Sequence, residues 1–226
     1  MLDLKQIKSF DALSKDEQIE ALTLLDKWKN LNARERCRAD FLEFVKFHWE
    51  GFIMGRHHKV LSEKLNRIAE GKCKRLMVML PPRHSKSEFA STYFPAWMMG
   101  LNPSLKIIQA THTAELAVRF GRRVRNIIDS EEYQAVFPNI SLSGDNKSAG
   151  RWTTDDGGEA FYSGVGGAIT GRGADLLIID DPHSEQDAMS PTAMDAAWEW
   201  YTSGPRQRLQ PGGTIVLVMT RWSTKD

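Results

Sequence analysis

Disulfide chemistry is nearly closed to this chain, because Cys37 and Cys73 are its two cysteines and they stand far apart. That excludes a disulfide scaffold and a CxxC metal site, and it fits a reducing cytosol. No apolar run approaches membrane-spanning length, and the charged start MLDLKQIK lacks a signal-peptide core. A soluble, intracellular protein with no membrane partner is expected. Neither sign of charge dominates: 30 Lys and Arg against 29 Asp and Glu leave a net charge of +1. Any nucleic-acid contact must therefore come from a local patch. Internal repeats and low-complexity segments are also missing. What is left, 226 residues of which 41% are hydrophobic, can bury one substantial core carrying a small helical appendage.

The first 50 residues read as helical. Leu13, Leu22, Leu24, Leu25 and Trp28 recur at helix-like spacing, and Phe41, Phe44, Val45 and Phe47 form a second apolar face. Ser14 followed by Glu17 is a capping-box start. A third helix is expected over His57 to Glu70, with Val60, Leu61, Leu65 and Ile68 inward and Gly71 ending it. From Arg75 the pattern becomes strand-helix alternation. Strand Arg75–Leu80 precedes a helix from about Lys86 to Met99, and strand Lys106–Ala110 precedes a helix from about Ala114 to Ile128. A turn-laden stretch, Ser141 to Gly173, holds a short β excursion around Glu159–Ser163. Strand Leu176–Ile179, a helix opened by Ser190-Pro191 and a central apolar strand Thr214–Met219 follow. Such alternation means an α/β fold with a largely parallel sheet between helices. Only TRWSTKD follows the last strand, so the natural gene is expected to continue.

Glycine is missing from the place where it would be most diagnostic. In RLMVMLPPRHSKSE, Arg75 to Glu88, an apolar strand runs into a loop ending in Lys86-Ser87 and then a helix. This is the plan of a phosphate-binding loop. The backbone of Pro82, Arg83, His84 and Ser85 wraps the phosphates of ATP, Lys86 reaches the β- and γ-phosphates, and the Ser87 hydroxyl ligates Mg²⁺. Laid on G-x-x-x-x-G-K-[ST], however, the first Gly is Leu80 and the second is Ser85. A second motif supports the reading: DLLIIDDP, Asp175 to Pro182, carries an apolar run to two adjacent carboxylates. If this strand lies parallel to Arg75–Leu80, Asp180 arrives beside Lys86-Ser87 to hold Mg²⁺, and Asp181 points toward an attacking water. A turn or helix cap at Asp181-Pro182 is the plainer alternative.

The ordered set LPPRHSKSE, GRGADLLIIDDP, MSPTAMDAAWEWYTSGPRQRLQPGG and TIVLVMTRWSTKD resembles the ATPase domain of the large terminase subunit, the DNA-packaging motor of tailed bacteriophages. The resemblance runs from about Phe41 to Asp226. It implies a P-loop NTPase fold of the ASCE type, in which an extra strand lies between the phosphate-loop strand and the acidic one. The implied division is a helical segment at 1–50 packed on an ATPase domain at 51–226, with the family's nuclease domain not in this chain. By the same resemblance, Lys86 and Ser87 bind phosphate and Mg²⁺, Asp180 is the metal-coordinating acid, and Asp181 stands where many members carry a catalytic Glu. Thr220 is the coupling residue. Arg83, in the loop, and Arg172, in the Gly-flanked GRG, are the transition-state charge stabilisers. The first would act in cis and the second would project toward a neighbouring subunit. The implied partners are double-stranded DNA, the portal protein, the small terminase subunit and other copies in a ring, at the procapsid portal in the host cytoplasm.

Other residues invite weaker readings. Arg119, Arg122, Arg123 and Arg125 form a row opposite Leu116, Phe120, Val124 and Ile127, either a DNA-backbone track or a solvated face. His57-His58 stand where the family places adenine-side contacts. Trp198, Trp200 and Tyr201 fit a core better than a base-stacking platform. Two rivals stay open: a helicase-like P-loop ATPase, and a non-catalytic nucleotide- or DNA-binding module.

Overall fold

The computed structural model describes residues 13–169 and 171–223; the opening MLDLKQIK and the end of TRWSTKD lie outside them. Helix α1 covers Lys15–Ala39, α2 Phe41–His48 and α3 Arg56–Ala69. Strand β1, Arg75–Met79, leads through the loop into a π-type turn, Glu88–Tyr93, and helix α4, Phe94–Leu101. Then come β2 (Lys106–Thr111), α5 (Ala114–Ile128) and α6 (Glu131–Val136). Strands β3 (Leu142–Ser148), β4 (Arg151–Thr154), β5 (Glu159–Gly164) and β6 (Ala174–Asp180) precede α7 (Pro191–Ser203) and β7 (Leu209–Met219). Among the described residues no helix is long and apolar enough to cross a membrane.

The strands form one seven-stranded sheet in the order β1-β7-β6-β2-β5-β4-β3. From β1 to β5 every pairing is parallel, and β4 and β3 extend the sheet antiparallel. Strand β7 lies between β1 and β6, and β1 is an edge. The expected short β excursion is thus part of the main sheet, with Lys106 opposite Glu159 and Thr111 opposite Gly164. Its inward residues Ala160 and Tyr162 are buried, and that burial holds the strand against β2.

Side chains two apart along a strand share a face. Val78, Ile107, Leu176, Ile178, Val216 and Val218 meet the aromatic core of α2, α4 and the π turn, while Ile108, Leu177, Ile179 and Ile215 meet the thinner cover that includes Trp200 and Tyr201. On the thick side Phe41 stands edge-on to Phe89 and Phe94, with ring centres 5.7 and 5.6 Å away. The Trp97 indole N–H donates to the Cys37 carbonyl at 2.8 Å, tying the end of α1 to the core. Truncating a buried ring of this kind costs about 3–5 kcal/mol.

The helix expected over Lys86 to Met99 forms, but with a π turn inside it. Pro95 explains the irregularity, since it has no N–H to give and its ring crowds the Ser91 carbonyl four residues back. The Ser91 carbonyl instead accepts from Gln109 Nε2 at 3.1 Å.

The capping box at Ser14 and Glu17 is present. The inward face expected on α1 is not, because Leu22 is 52% and Trp28 62% exposed, with Leu24 and Leu25 also outside. Periodicity reports an apolar stripe and says nothing of what covers it. Val60 and Phe47, also expected inward, lie on the outside as well. So does Trp198, at 63% exposed, although a core position was expected. Trp200 and Tyr201 are half-buried, and the Trp200 indole donates to the Gly167 carbonyl at 3.2 Å. Trp198 instead lines a cavity of about 570 Å³ with Met77, Met79, Met194 and Leu217.

Candidate active site

The loop after β1 takes the shape that its missing glycines would have given it. Arg83 and Ser85 have φ of 62° and 60°, the left-handed region that side chains disfavour. Left-handed residues in a turn are how backbone N–H groups are gathered into anion-binding concavities. Ser85 holds the position of the second glycine, and its carbonyl accepts from the Phe89 N–H at 3.0 Å, which starts the helical run. Pro82, Arg83 and His84 are exposed, and among the described residues no ion pair or hydrogen bond engages the Arg83 guanidinium. The His84 Nδ1–H donates to the Pro82 carbonyl at 2.9 Å, which staples the loop across its tip.

The parallel sheet delivers the acidic pair to this loop. Asp180 ends β6 on the same face as Leu176 and Ile178, toward the π turn, and the Ser87 hydroxyl donates to its Oδ1 at 3.1 Å. Asp180 is only 2% exposed, and its Oδ2 has no hydrogen-bond partner among the described residues. Burial pushes its carboxyl up to about 6, opposed by the Ser91 hydroxyl, assisted by the Asp181 charge, and opposed again by Ser87 and Lys86. Ser91 Oγ acts on that charge from nearby without a hydrogen bond of its own.

Asp181 is the hub. Its φ of 42° makes it the third non-glycine residue with left-handed backbone among the described residues, all three of them at this site. The buried Lys86 ammonium lies 2.9 Å from Asp181 Oδ2, and the Thr220 N–H donates to Oδ1 at 2.7 Å. The Asp181 N–H in turn donates to the Val218 carbonyl at 2.8 Å. Both carboxylate oxygens thus have a partner, where the sequence suggested one aimed only at water. Each oxygen keeps a further lone pair, and the side chain is about one-third open to solvent at 32%. Thr220 takes part through its backbone, at the buried tip of β7.

The donor set suits a hard divalent cation. The Ser87 hydroxyl and the one buried carboxylate, Asp180 with its unpartnered Oδ2, are oxygen ligands of the kind Mg²⁺ takes alongside phosphates and water. Among the described residues no three His, Cys, Asp or Glu side chains converge as a metal site, which argues against a protein-only cage.

Arg172 lies elsewhere. It pairs with Glu159 and sits over the Phe161 ring, 4.2 Å from its centre. It also precedes β6, whereas Asp180 ends that strand, so about 20 Å of strand separates the two at roughly 3.3 Å per residue. The expected outward projection is corrected: its side chain is held on β5 by charge and ring. Sequence reasoning passed over Glu88, the residue after Ser87, which forms a two-point ion pair with Arg123 of α5 at 2.6 and 2.5 Å. Arg123 thus leaves the expected basic row, while Arg119 and Arg122 stay exposed. The signal that was available was an acidic residue directly after the lysine-serine pair.

His57 and His58 do come to the loop. Their rings are 3.9 Å apart, and His57 stands 5.6 Å from His84. His58 is buried, stacks on Phe89 with ring centres 4.8 Å apart and takes the Gly55 N–H at Nδ1. Burial, then the neighbouring imidazoles, lower its pKa.

No family model and no curated protein matches this chain. Among solved structures, the crystal structure of the HK97 bacteriophage large terminase is similar, with a TM-score of 0.55 and 11% identity over 83% of this chain. The chain spans 38% of that protein's length. At this identity the likeness concerns the fold: a mixed α/β architecture with a mainly parallel sheet and flanking helices.

Proposed function

We propose that this chain is an ATP-hydrolysing motor domain of the large-terminase type, an ASCE P-loop NTPase that drives double-stranded DNA into a procapsid. The observation carrying this is the convergence of Lys86-Ser87 with Asp180, Asp181 and Thr220 at the ends of β1, β6 and β7, with β7 between the other two. Ser87 and Asp180 would hold Mg²⁺, which supplies charge neutralisation at the β- and γ-phosphates. Lys86 would exchange Asp181 for phosphate, freeing Asp181 Oδ2 to accept a proton from water. The Thr220 N–H would keep Oδ1 fixed, so the carboxylate stays oriented and any shift of Asp181 is felt at the end of β7. Arg83, exposed in the loop, would spread the charge of the transferring phosphoryl group.

In this reading the partners are double-stranded DNA, the portal protein, the small terminase subunit and further copies in a ring. The HK97 likeness supports the motor assignment at the level of fold. Arg172 can serve a neighbouring site only by leaving Glu159 and Phe161. The deciding experiment is Mg²⁺-dependent phosphate release by the purified chain, alone and with duplex DNA, beside Lys86→Ala. Turnover that is lost in a folded Lys86→Ala protein supports the reading. Absence of turnover in the wild type under assembling conditions favours the non-catalytic binding module.

A further inference from the structure

Helix α5 presents one polar face that the domain does not use. Its apolar side, with Phe120, Val124 and Ile128, is buried, and the turn after β3 closes on its flank at Val118 and Gly121. A side chain at Gly121 would collide with the Ala149 carbonyl and the Tyr162 ring, so that flank is sealed by backbone. The face left to solvent carries Arg119 and Arg122, both exposed, and Asn126 one turn further on. At about 100° per residue these three lie within about 60° of one another around the axis and climb about 10 Å along it. Arg125 starts about 60° to the other side of Arg122 but leans toward them, its Nη2 donating to Asn126 Oδ1 at 3.2 Å. Glu115 and Asp129 close the face at its two ends. Among the described residues no ion pair or hydrogen bond engages the Arg119 or Arg122 guanidinium, although Glu115 stands four residues before Arg119, a spacing that favours pairing on a helix.

We infer that this face of α5, centred on Arg122, is a contact surface for the phosphate backbone of double-stranded DNA. The duplex is the partner of the motor reading, on which the inference rests; the place and the chemistry come from the helix. Guanidinium forks match phosphate oxygens two at a time, and the cations here are all arginine. One strand carries a charge about every 3.4 Å, so a row about 10 Å long faces about three phosphates. The aromatic rings beside it, Phe120, Trp152 and Tyr162, are buried, and they give a base nothing to stack on. Single strands are held largely by such stacking, which leaves a duplex, gripped by its backbone and without regard to sequence. Asp129, Glu131 and Glu132, all exposed, repel the backbone beyond the end of the helix and set the limit of the contact.

The same helix touches the phosphate loop. Arg123, on the flank next to the row, holds Glu88 at two points, and Glu88 follows Ser87 directly. A load applied to the row is therefore carried to the start of the helical run that bears Lys86 and Ser87.

Anisotropy of a short labelled duplex, without nucleotide, reads the contact. Arg119→Gln, Arg122→Gln and Arg125→Gln together remove three phosphate contacts and should flatten the slope of log affinity against log salt by about 2.7. Between about 50 and 200 mM salt the wild type should thus lose about 40-fold more affinity than the triple variant. Lysines at the three positions should restore the slope. Lys27→Gln with Lys29→Gln and Arg36→Gln removes the same charge from exposed positions on α1 and should leave the slope unchanged. The triple glutamine variant should also keep basal phosphate release and lose its rise with duplex. A wild type that binds no duplex, an unchanged slope in the triple variant, an equal drop in the α1 control, or a single strand bound as tightly as the duplex would overturn the inference. So would poly-glutamate binding that is lost in the same variant, since the face would then serve an acidic protein. Failure of the motor reading looks different: a chain that releases no phosphate yet binds duplex through this row is a DNA-binding module, and one that hydrolyses ATP with an unchanged slope keeps the ATPase and loses this surface.

Discussion

Ser85 sits in a conformation that belongs to glycine, and replacing it by glycine should cost the protein nothing. A non-glycine residue in the left-handed region carries about 1–2 kcal/mol of steric cost. Ser85 has φ of 60°, and among the described residues its side chain makes no hydrogen bond that would be lost, since the contact to Phe89 uses its backbone carbonyl. Against the relief stands the extra freedom of glycine in the unfolded chain, about 0.4–1 kcal/mol. The net expectation for Ser85→Gly runs from about zero to 1.5 kcal/mol of added stability. In a chain of this size 1 kcal/mol moves Tm by about 2–4 °C. Urea unfolding, followed by tryptophan fluorescence at constant m-value, measures the change directly. Ser85→Val serves as the opposing case, because a β-branched residue fits this region worst, and it should lose about 1–3 kcal/mol. The strain argument fails if Ser85→Gly is destabilised by more than about 1 kcal/mol while Ser85→Val is not.

Asp181→Asn should keep ATP binding and lose hydrolysis, because an amide cannot take the proton that a carboxylate takes; normal turnover by this variant would move the base elsewhere, with Glu185 the next to test. Asp180 predicts two opposite pH trends. Its folded pKa of about 6 lies above the ordinary 3.8, so the folded state takes up its proton first as pH falls. This residue's penalty on stability is therefore full above pH 6 and eases through that window, while Mg²⁺ dependence should weaken as pH drops below about 6. Asp180→Asn should flatten both trends in paired melting and magnesium titrations. Arg123→Lys keeps the charge and loses the two-point grip on Glu88, and because both partners are partly exposed the stability cost should stay near 1 kcal/mol or below; a change above about 3 kcal/mol would mean a larger role for the pair. Mixing Arg172→Ala with Lys86→Ala should restore no ATPase activity if Arg83 acts in cis, and Arg83→Ala alone should remove it. Rescue by the mixture would instead put Arg172 across a subunit boundary.

Where the sequence was readable, local chemistry and burial agreed. The run before Asp180-Asp181 became the central strand β6, since buried parallel strands need unbroken apolar stretches, and the apolar run before Lys86-Ser87 became the edge strand β1. Lys86, Ser87 and Asp180 were placed together correctly, because a parallel sheet puts all its strand ends on one rim. The partner of Lys86 was not legible: its meeting with Asp181 depends on the reversal of chain direction after a residue with φ of 42°, which no pattern of residue types encodes. The placing of the Arg172 side chain was not legible either. Flanking glycines signal a turn, but its direction was set by Glu159 and Phe161 on a strand that the sequence showed only faintly. The exposure of α1 and of Trp198 marks another limit, since hydrophobic periodicity identifies a face and leaves its occupant open.

The position of β1 at the sheet's edge governs how this chain behaves in the tube. Among the described residues one side of its backbone has no neighbouring strand, and Met77, 58% exposed, lines an apolar cavity together with Met79. An open edge of this kind invites strand-to-strand adhesion between molecules. Its brevity, Lys74 and Arg75 at one end and Pro81-Pro82 at the other limit that adhesion. The two methionines are also the accessible thioethers of this face, so peroxide should convert them to sulfoxides early. Sulfoxide is polar where the thioether is not, and it would make the edge less adhesive. Solubility after mild oxidation, with the modified positions read by mass spectrometry, therefore reports on the edge strand without any substitution.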